Sequence, residues 1–369
     1  MKKARKFLFR PRMLLIAALL CTGIIVSAQE ISDARSKKQS YKVTPETTVE
    51  VENKYGTILI VPWKKDSVQI ISDIYLSAKS NSKLRKLKND VDVTFAGSSS
   101  YIIAKTQIGK EGSKVASELR TLSKTLVKSS TVEINYTIYL PEYVNLVLSN
   151  KFGDIYIDDL EGDVSISLSN GALKANHLTG NSQIEMIFAK GEIREMNSST
   201  VNLSYADLIL GSVEQIDLIS KSSELEIDKA GIVKVESRRD KLYFNELGYL
   251  FGKSSFTTIT VTDFIREANF DMNYGKIDIK NVLPEFVSID IESDYTDINL
   301  SISKKTGYFL DILHHEKAVL NLPDSEADLV RNRTAEEFFT TKGKVGRQES
   351  EKRIRIQADH KCYINISMK

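Results

Sequence analysis

Cysteine, histidine and long apolar runs are all scarce in this chain. Two of its 369 residues are cysteine, Cys21 and Cys362. The first lies in an N-terminal segment whose pattern predicts removal. A single thiol then remains, which excludes an intramolecular disulfide and a cysteine-rich metal site. Histidine, the commonest acid-base residue, occurs only as His177, His314, His315 and His360. No His-Glu-x-x-His, Gly-x-Ser-x-Gly or phosphate-cradling glycine loop is present. The sequence therefore offers no catalytic apparatus, cofactor site or metal site, and it predicts a protein that is not an enzyme. No apolar run is long enough to span a bilayer, which takes roughly twenty residues.

The one apolar run, Met13 to Val26, follows Met-Lys-Lys-Ala-Arg-Lys-Phe-Leu-Phe-Arg-Pro-Arg, which holds six cations and no acid. Ser27-Ala28 comes next. Charged region, apolar core and small residues in that order predict a signal peptide over residues 1–28, cut after Ala28. Leu20, where a lipoprotein would carry a small residue, argues against lipid attachment at Cys21. Cleavage changes the charge: 45 Lys and Arg remain against 49 Asp and Glu, a net charge of −4. The basicity belongs to the export signal, so nucleic acid loses its electrostatic basis as a partner. The mature protein is expected to be exported, to the periplasm, outer envelope or exterior, with no remaining membrane span.

What is present is a repeat. Alternating apolar pairs recur as Ile58/Ile60, Ile155/Ile157, Leu173/Ala175, Leu208/Leu210, Leu225/Ile227, Leu242/Phe244, Ile259/Val261, Ile277/Ile279 and Ile298/Leu300. Ile193 joins the series as a first member whose second position, Glu195, is polar. The period is about eighteen residues, near the lower edge for solenoid repeats. A second set falls between: Val164/Ile166/Leu168, Ile184/Met186, Val201/Leu203, Ile216/Leu218, Val233/Val235, Phe270/Met272, Val287/Ile289/Ile291 and Leu310/Ile312. Period-two alternation marks strands with one buried face, and Gly, Asn and Asp between the pairs mark turns. An antiparallel sandwich has similar strand spacing but gives no reason for the same turn to return every second strand. The pattern predicts an all-β chain, a parallel β-solenoid resembling a single-stranded β-helix, with one helical insertion.

Residues 29–45 read as a linker and 46–322 as the solenoid, interrupted at about 77–131. Inside the interruption, Val115, Leu119, Leu122 and Leu126 have helical spacing. The insertion is expected to cover an open end or one face, with a mobile functional flap as the other reading. Residues 323–369 read as a capping segment, with strands around Ile354/Ile356 and Ile364/Ile366.

The segments Asn53-Lys-Tyr-Gly-Thr-Ile-Leu-Ile, Asn150-Lys-Phe-Gly-Asp-Ile-Tyr-Ile, Asn273-Tyr-Gly-Lys-Ile-Asp-Ile and Ser293-Asp-Tyr-Thr-Asp-Ile-Asn-Leu resemble the repeats of the adhesin-like β-helix family of bacterial envelope proteins. Thr137-Ile-Tyr-Leu-Pro-Glu is similar to the strand that family places before its repeats. The resemblance runs from about Tyr41 to Leu322 and implies an exported β-solenoid. It departs at the helical insertion and at the tail holding Cys362, and it implies no chemistry.

Three residue groups invite a functional reading. Asp154, Asp158, Asp159, Glu161 and Asp163 crowd one turn, where calcium could be held, although solvated turn carboxylates are the simpler reading. His314-His315 beside Glu316 reads as a solvated loop or strand end, because neighbours on a strand point to opposite faces. An aromatic recurs three residues before the repeat anchors, in Tyr55, Phe152, Tyr205, Phe256, Tyr274 and Tyr295. Equivalent positions in adjacent rungs lie about 4.8 Å apart, so such rings should stack. The favoured reading puts them in a corner of the core; the other makes them an exposed platform for sugar rings. The functional expectation is a non-enzymatic, adhesin-like envelope protein that binds a polysaccharide or an envelope protein. A polysaccharide-cleaving lyase or hydrolase and an envelope-stress sensor are the alternatives.

Overall fold

The computed structural model describes residues 30–109, 130–323, 327–346 and 350–369. The expected signal peptide over residues 1–28 and the helical spacing expected within residues 111–129 lie outside the described residues.

The apolar pairs stack in register. Ile58, Ile155, Leu173, Gly191, Leu208, Leu225, Leu242 and Ile259 are successive partners in parallel strands. On the opposite side, Leu148, Ile166, Ile184, Val201, Leu218 and Val235 form a second column. A third column, Leu178, Met196, Val213, Ala230 and Leu247, fills the turn between the two sides. All these apolar side chains are buried, and the residues between them point outward, as the pleat requires. The fold is a parallel β-solenoid. Its central rungs take 17 residues each, as Leu208, Leu225, Leu242 and Ile259 show.

One anchor differs from the sequence reading. Ile193 is the second member of its pair, aligned with Ala175 and Leu210, and Gly191 is the first. The glycine leaves a space that side chains fill: a Cβ there would lie 2.6 Å from Leu208 Cδ1 and 3.0 Å from Met186 Cε. Val287, grouped with Ile289 and Ile291 by alternation, is exposed and lies before the strand Ser288–Ile302.

Rung order departs from chain order at both ends. At the first, strands Tyr101–Ile108 and Ser130–Leu140 stack parallel beneath Thr48–Lys54 and Ile58–Pro62. Antiparallel strands then stop the stack: Val91–Gly97 on one side, Ser67–Ala78 and then Ile31–Lys42 on the other. Of the insertion's described residues, Tyr101–Ile108 extends the stack and Val91–Gly97 covers one side of its end, whereas the other side is covered by strands that precede the insertion. The insertion's described helix is Asn81–Asp90, which the sequence reading missed; Ser80 caps it and Leu84 and Leu87 bury its short apolar face. Residues 29–45 are not a linker, since Ile31–Lys42 is a twelve-residue edge strand. Arg35, Lys37, Lys38 and Lys42 on that edge discourage further strand addition.

At the other end, the strands Arg353–Ala358 and Tyr363–Met368 do not cap the array. They insert between two rungs, parallel to Ser288–Ile302 on one side and to Tyr308–His315 and Val319–Asn321 on the other. Ile354, Ile356, Ile364 and Ile366 continue the inner columns there and are fully covered. Closure falls instead to Phe338–Val345, antiparallel to Tyr308–His315, and Ala327–Arg333 beyond it. Among the described residues, no helix is long and apolar enough to cross a membrane.

Candidate binding surface

Ten successive rungs turn one corner through a single residue with left-handed backbone: Tyr55, Phe152, Asn170, Phe188, Tyr205, Ser222, Arg239, Phe256, Tyr274 and Tyr295, with φ between 47° and 64°. Bulky L residues adopt this conformation at a cost of about 1 kcal/mol or more. The backbone ladder fixes them there. Phe152 N donates to Ser169 O, Asn170 N to Ile187 O and Phe188 N to Ser204 O, at 2.9 to 3.1 Å. The repeated Asn-Lys-aromatic-Gly segment has a local cause. Asn150 Nδ2 donates to Gly56 O at 2.9 Å and to Asp154 O at 3.0 Å, tying the corner to the rung below. The rungs approach so closely here that a Cβ on Gly153 would lie 1.9 Å from Gly56 O.

The corner side chains form a column of stacked rings. Tyr55 and Phe152 stack at 5.4 Å, and Phe188 and Tyr205 at 5.1 Å. Phe256 to Tyr274 is 5.0 Å, Tyr274 to Tyr295 is 4.9 Å, and both pairs are within 4° of parallel. His360 continues the stack on Tyr295 at 5.0 Å, and His315 follows at 6.2 Å. Cations close two ends: Lys54 lies 4.9 Å above Tyr55, and the Arg239 guanidinium 5.9 Å from Phe256.

Apart from Tyr55, which is half-buried and packs against the core, these rings do not fill a corner of the core. Phe188, Tyr205 and Phe256 are at least half exposed, and Tyr274 and Tyr295 remain 44 % and 43 % exposed although stacked on both faces. The left-handed corner explains the difference, because it turns the side chain away from the interior and gives the next residue, such as Gly153 or Ala206, the inward position. Sequence reasoning missed Phe188 because it anchored that rung on Ile193. With Gly191 as anchor, Phe188 falls three residues before it, as do Asn170, Ser222 and Arg239 before theirs.

Where the column changes from aromatic to polar, a carboxylate occupies the inward corner. Asp240 is 3 % exposed. It accepts hydrogen bonds from Ser220 Oγ and Ser237 Oγ at 2.6 Å, Ser223 N at 2.7 Å and Arg238 N at 2.9 Å. Four donors in one buried corner match a carboxylate's acceptor capacity. Beside it runs an open groove of about 580 Å³, with Glu236, Lys253, Asp271, Glu292, Asp294 and Asp359 among its lining residues. Lys253 pairs with Glu236 at 3.1 Å; the far end of the groove is acidic.

Four of the five turn carboxylates bond to the neighbouring rung, and the fifth, Glu161, is exposed. Asp154 Oδ1 accepts from Ala172 N, Asp158 Oδ1 from Asn176 Nδ2, and Asp163 Oδ1 from Asn181 N, each partner 18 residues on. Asp159 Oδ1 lies 2.6 Å from His177 Nδ1. These carboxylates point at the next rung rather than at one another, and among the described residues no three His, Cys, Asp or Glu side chains converge on a metal position. His314 and His315 are buried, not solvated. His314 Nδ1 lies 3.1 Å from His315 O, and its Nε2 lies 3.2 Å from Thr341 Oγ1. Burial, the leading cause, holds its pKa below the usual 6.5. His315 Nδ1 accepts from Lys317 N and its Nε2 faces Glu337, not Glu316. Cys362 is buried against Ser293.

No family model matches the chain, and no curated protein does. Solved structures similar to it include one described as a candidate cell adhesion protein from Clostridium sporogenes ATCC 15579, 12 % identical, covering 91 % of this chain and 100 % of that one at a TM-score of 0.18. A candidate adhesin from Parabacteroides distasonis ATCC 8503 is 9 % identical, with 72 % and 97 % covered and a TM-score of 0.35. Another from Bacteroides fragilis NCTC 9343 is 13 % identical, with 72 % and 96 % covered and a TM-score of 0.29. Likenesses this distant carry no argument about function, and the fold assignment rests on the strand register itself.

Proposed function

We propose that the chain is an exported, non-enzymatic binding protein of the bacterial cell envelope that engages a polysaccharide along its aromatic corner. One observation carries this reading. Seven of the ten left-handed corner residues are aromatic, although glycine or asparagine would be less strained there, and the exposed rings contribute little to the core. Stacking recovers about 0.5–1.5 kcal/mol per pair, comparable to the backbone cost. The arrangement leaves a long strip of aromatic surface open to a partner, and contiguous exposed apolar surface of this kind marks interaction sites. The N-terminal charge and apolar pattern supports export, and the parallel stack of rungs supports mechanical presentation of the strip.

A polysaccharide-cleaving activity is the second reading, favoured by the carboxylates of the groove beside Phe256, Tyr274 and Tyr295. The test is binding and turnover of the purified protein on a panel of bacterial and host polysaccharides, with product detection. Binding without cleavage supports the proposal, cleavage moves the assignment to the groove carboxylates, and absence of both defeats it.

A further inference from the structure

The aromatic column is interrupted twice, by one corner at Asn170 and by two successive corners at Ser222 and Arg239. Asn170 takes the corner position between Phe152 and Phe188, and Ser222 takes it between Tyr205 and Arg239. Within each filled stretch a ring's faces are covered by its neighbours, so such a stretch presents mainly edges. A sugar ring, which packs through its C–H face, finds an uncovered aromatic face only at an interruption. Phe188 and Tyr205, each stacked on one ring, are 58 % and 50 % exposed, against 44 % for Tyr274 between two rings, while Phe152, the opposite wall at Asn170, is 36 % exposed.

Two rung steps separate the walls of each vacancy, about 10 Å from ring plane to ring plane. One ring placed midway lies about 5 Å from each wall, matching the 4.9 to 5.4 Å of the filled stretches. The floors decide what kind of ring. Among the described residues, the Asn170 amide and the Ser222 hydroxyl make no side-chain hydrogen bond, and both residues are solvent-accessible. An inserted aromatic side chain would strip water from those groups and return nothing, whereas a pyranose brings hydroxyls to pair with them. In the second vacancy the Arg239 guanidinium supplies one wall and further donors.

We infer that the vacancies at Asn170 and Ser222 are pyranose-binding slots, in which sugar rings of a polysaccharide lying along the corner are sandwiched between Phe152 and Phe188 and between Tyr205 and Arg239. The inference rests on the binding function proposed above and names where and how the glycan is held. The slots are three rungs apart, about 14 Å along the stack, which suits a polymer contacting both rather than one monosaccharide.

The test fills the slots. Asn170→Phe and Ser222→Phe place a ring where seven other corners already carry Phe or Tyr at similar backbone angles, so folding should survive; melting temperature and circular dichroism check it. The intact chain is screened on an array of defined pyranose oligosaccharides and, in parallel, of aromatic-containing peptides. The tightest oligosaccharide is then titrated calorimetrically. Each filling should weaken binding by about tenfold without lowering the melting temperature. Asn170→Gly keeps the slot open and removes its polar floor; it should weaken binding by a smaller factor and guards against a misfolded filling variant. Oligosaccharide binding unchanged in both filled variants overturns the slots and leaves the binding function standing. No oligosaccharide binding by the unmodified chain overturns both. Capture of an aromatic peptide that Asn170→Phe blocks overturns the pyranose assignment in favour of an aromatic side chain.

Discussion

Asp240→Ala removes the acceptor of four hydrogen bonds at once. It leaves Ser220 Oγ, Ser237 Oγ, Ser223 N and Arg238 N without their partner in a corner closed to solvent. Each buried donor stripped of its acceptor costs about 1–3 kcal/mol, so four taken separately set an upper bound of about 12 kcal/mol. Two effects reduce it. The alanine variant no longer has to bury a carboxylate, which relieves several kcal/mol, and a freed hydroxyl can turn to another partner, as Ser237 Oγ already lies 2.8 Å from Thr257 Oγ1. The expected net loss is about 3–5 kcal/mol, the range for removing one partner of a buried charged network. Asp240→Asn keeps one acceptor oxygen and should lose about 1–3 kcal/mol. Urea unfolding reads the difference as a lower midpoint at constant slope. Because solenoid stability is a sum of rungs and their interfaces, amide exchange at Ser223 and Arg238 should accelerate more than at Leu148 or Ile166. A loss under about 1 kcal/mol for the alanine variant, with exchange unchanged at those amides, would refute the reasoning that this network holds the corner.

Tyr274→Ala deletes two stacking contacts and should cost about 1–3 kcal/mol in urea unfolding; a neutral result would mean that the exposed stack does not stabilise the corner. Deleting residues 353–369 takes out a rung between two others. Limited proteolysis should then open residues 308–346 while the region before 282 stays protected. Acidification should lower stability through His314. The unfolded imidazole takes up its proton near 6.5 and the folded one only at lower pH, so stability is full above about pH 6.5 and falls through the window below it. His314→Gln should flatten the midpoint between about pH 7.5 and about pH 5.5. A chelator should leave the melting temperature unchanged, because Asp154, Asp158 and Asp163 bond the rung above; a chelator-induced drop would return the turn to metal binding.

The alternation of single apolar residues determined, by itself, that this chain is all-β and repetitive. A period of two commits each strand to one buried face, and a return every 17 or 18 residues leaves stacking as the way to bury all those faces together. The candidate surface was half legible. The three-residue offset between aromatic and anchor was readable, but whether those rings face inward depends on the sign of φ at the corner, which neither spacing nor residue type discloses for Phe or Tyr. The misplaced anchor at Ile193 hid Phe188, and with it the vacancy at Asn170, because a glycine gives no apolar signal even where Leu208 and Met186 fill its place. Only the tertiary structure decided the order of rungs at the ends. Residues 353–369 carry the same alternation as any outer rung, and their insertion between residues 288–302 and 308–321 is chosen by the gain of covering both faces of the strand edge, a comparison of whole packings. Asp240 was likewise unreadable: an acidic residue in a turn reads as solvated until the serines of two adjacent rungs are seen to converge on it.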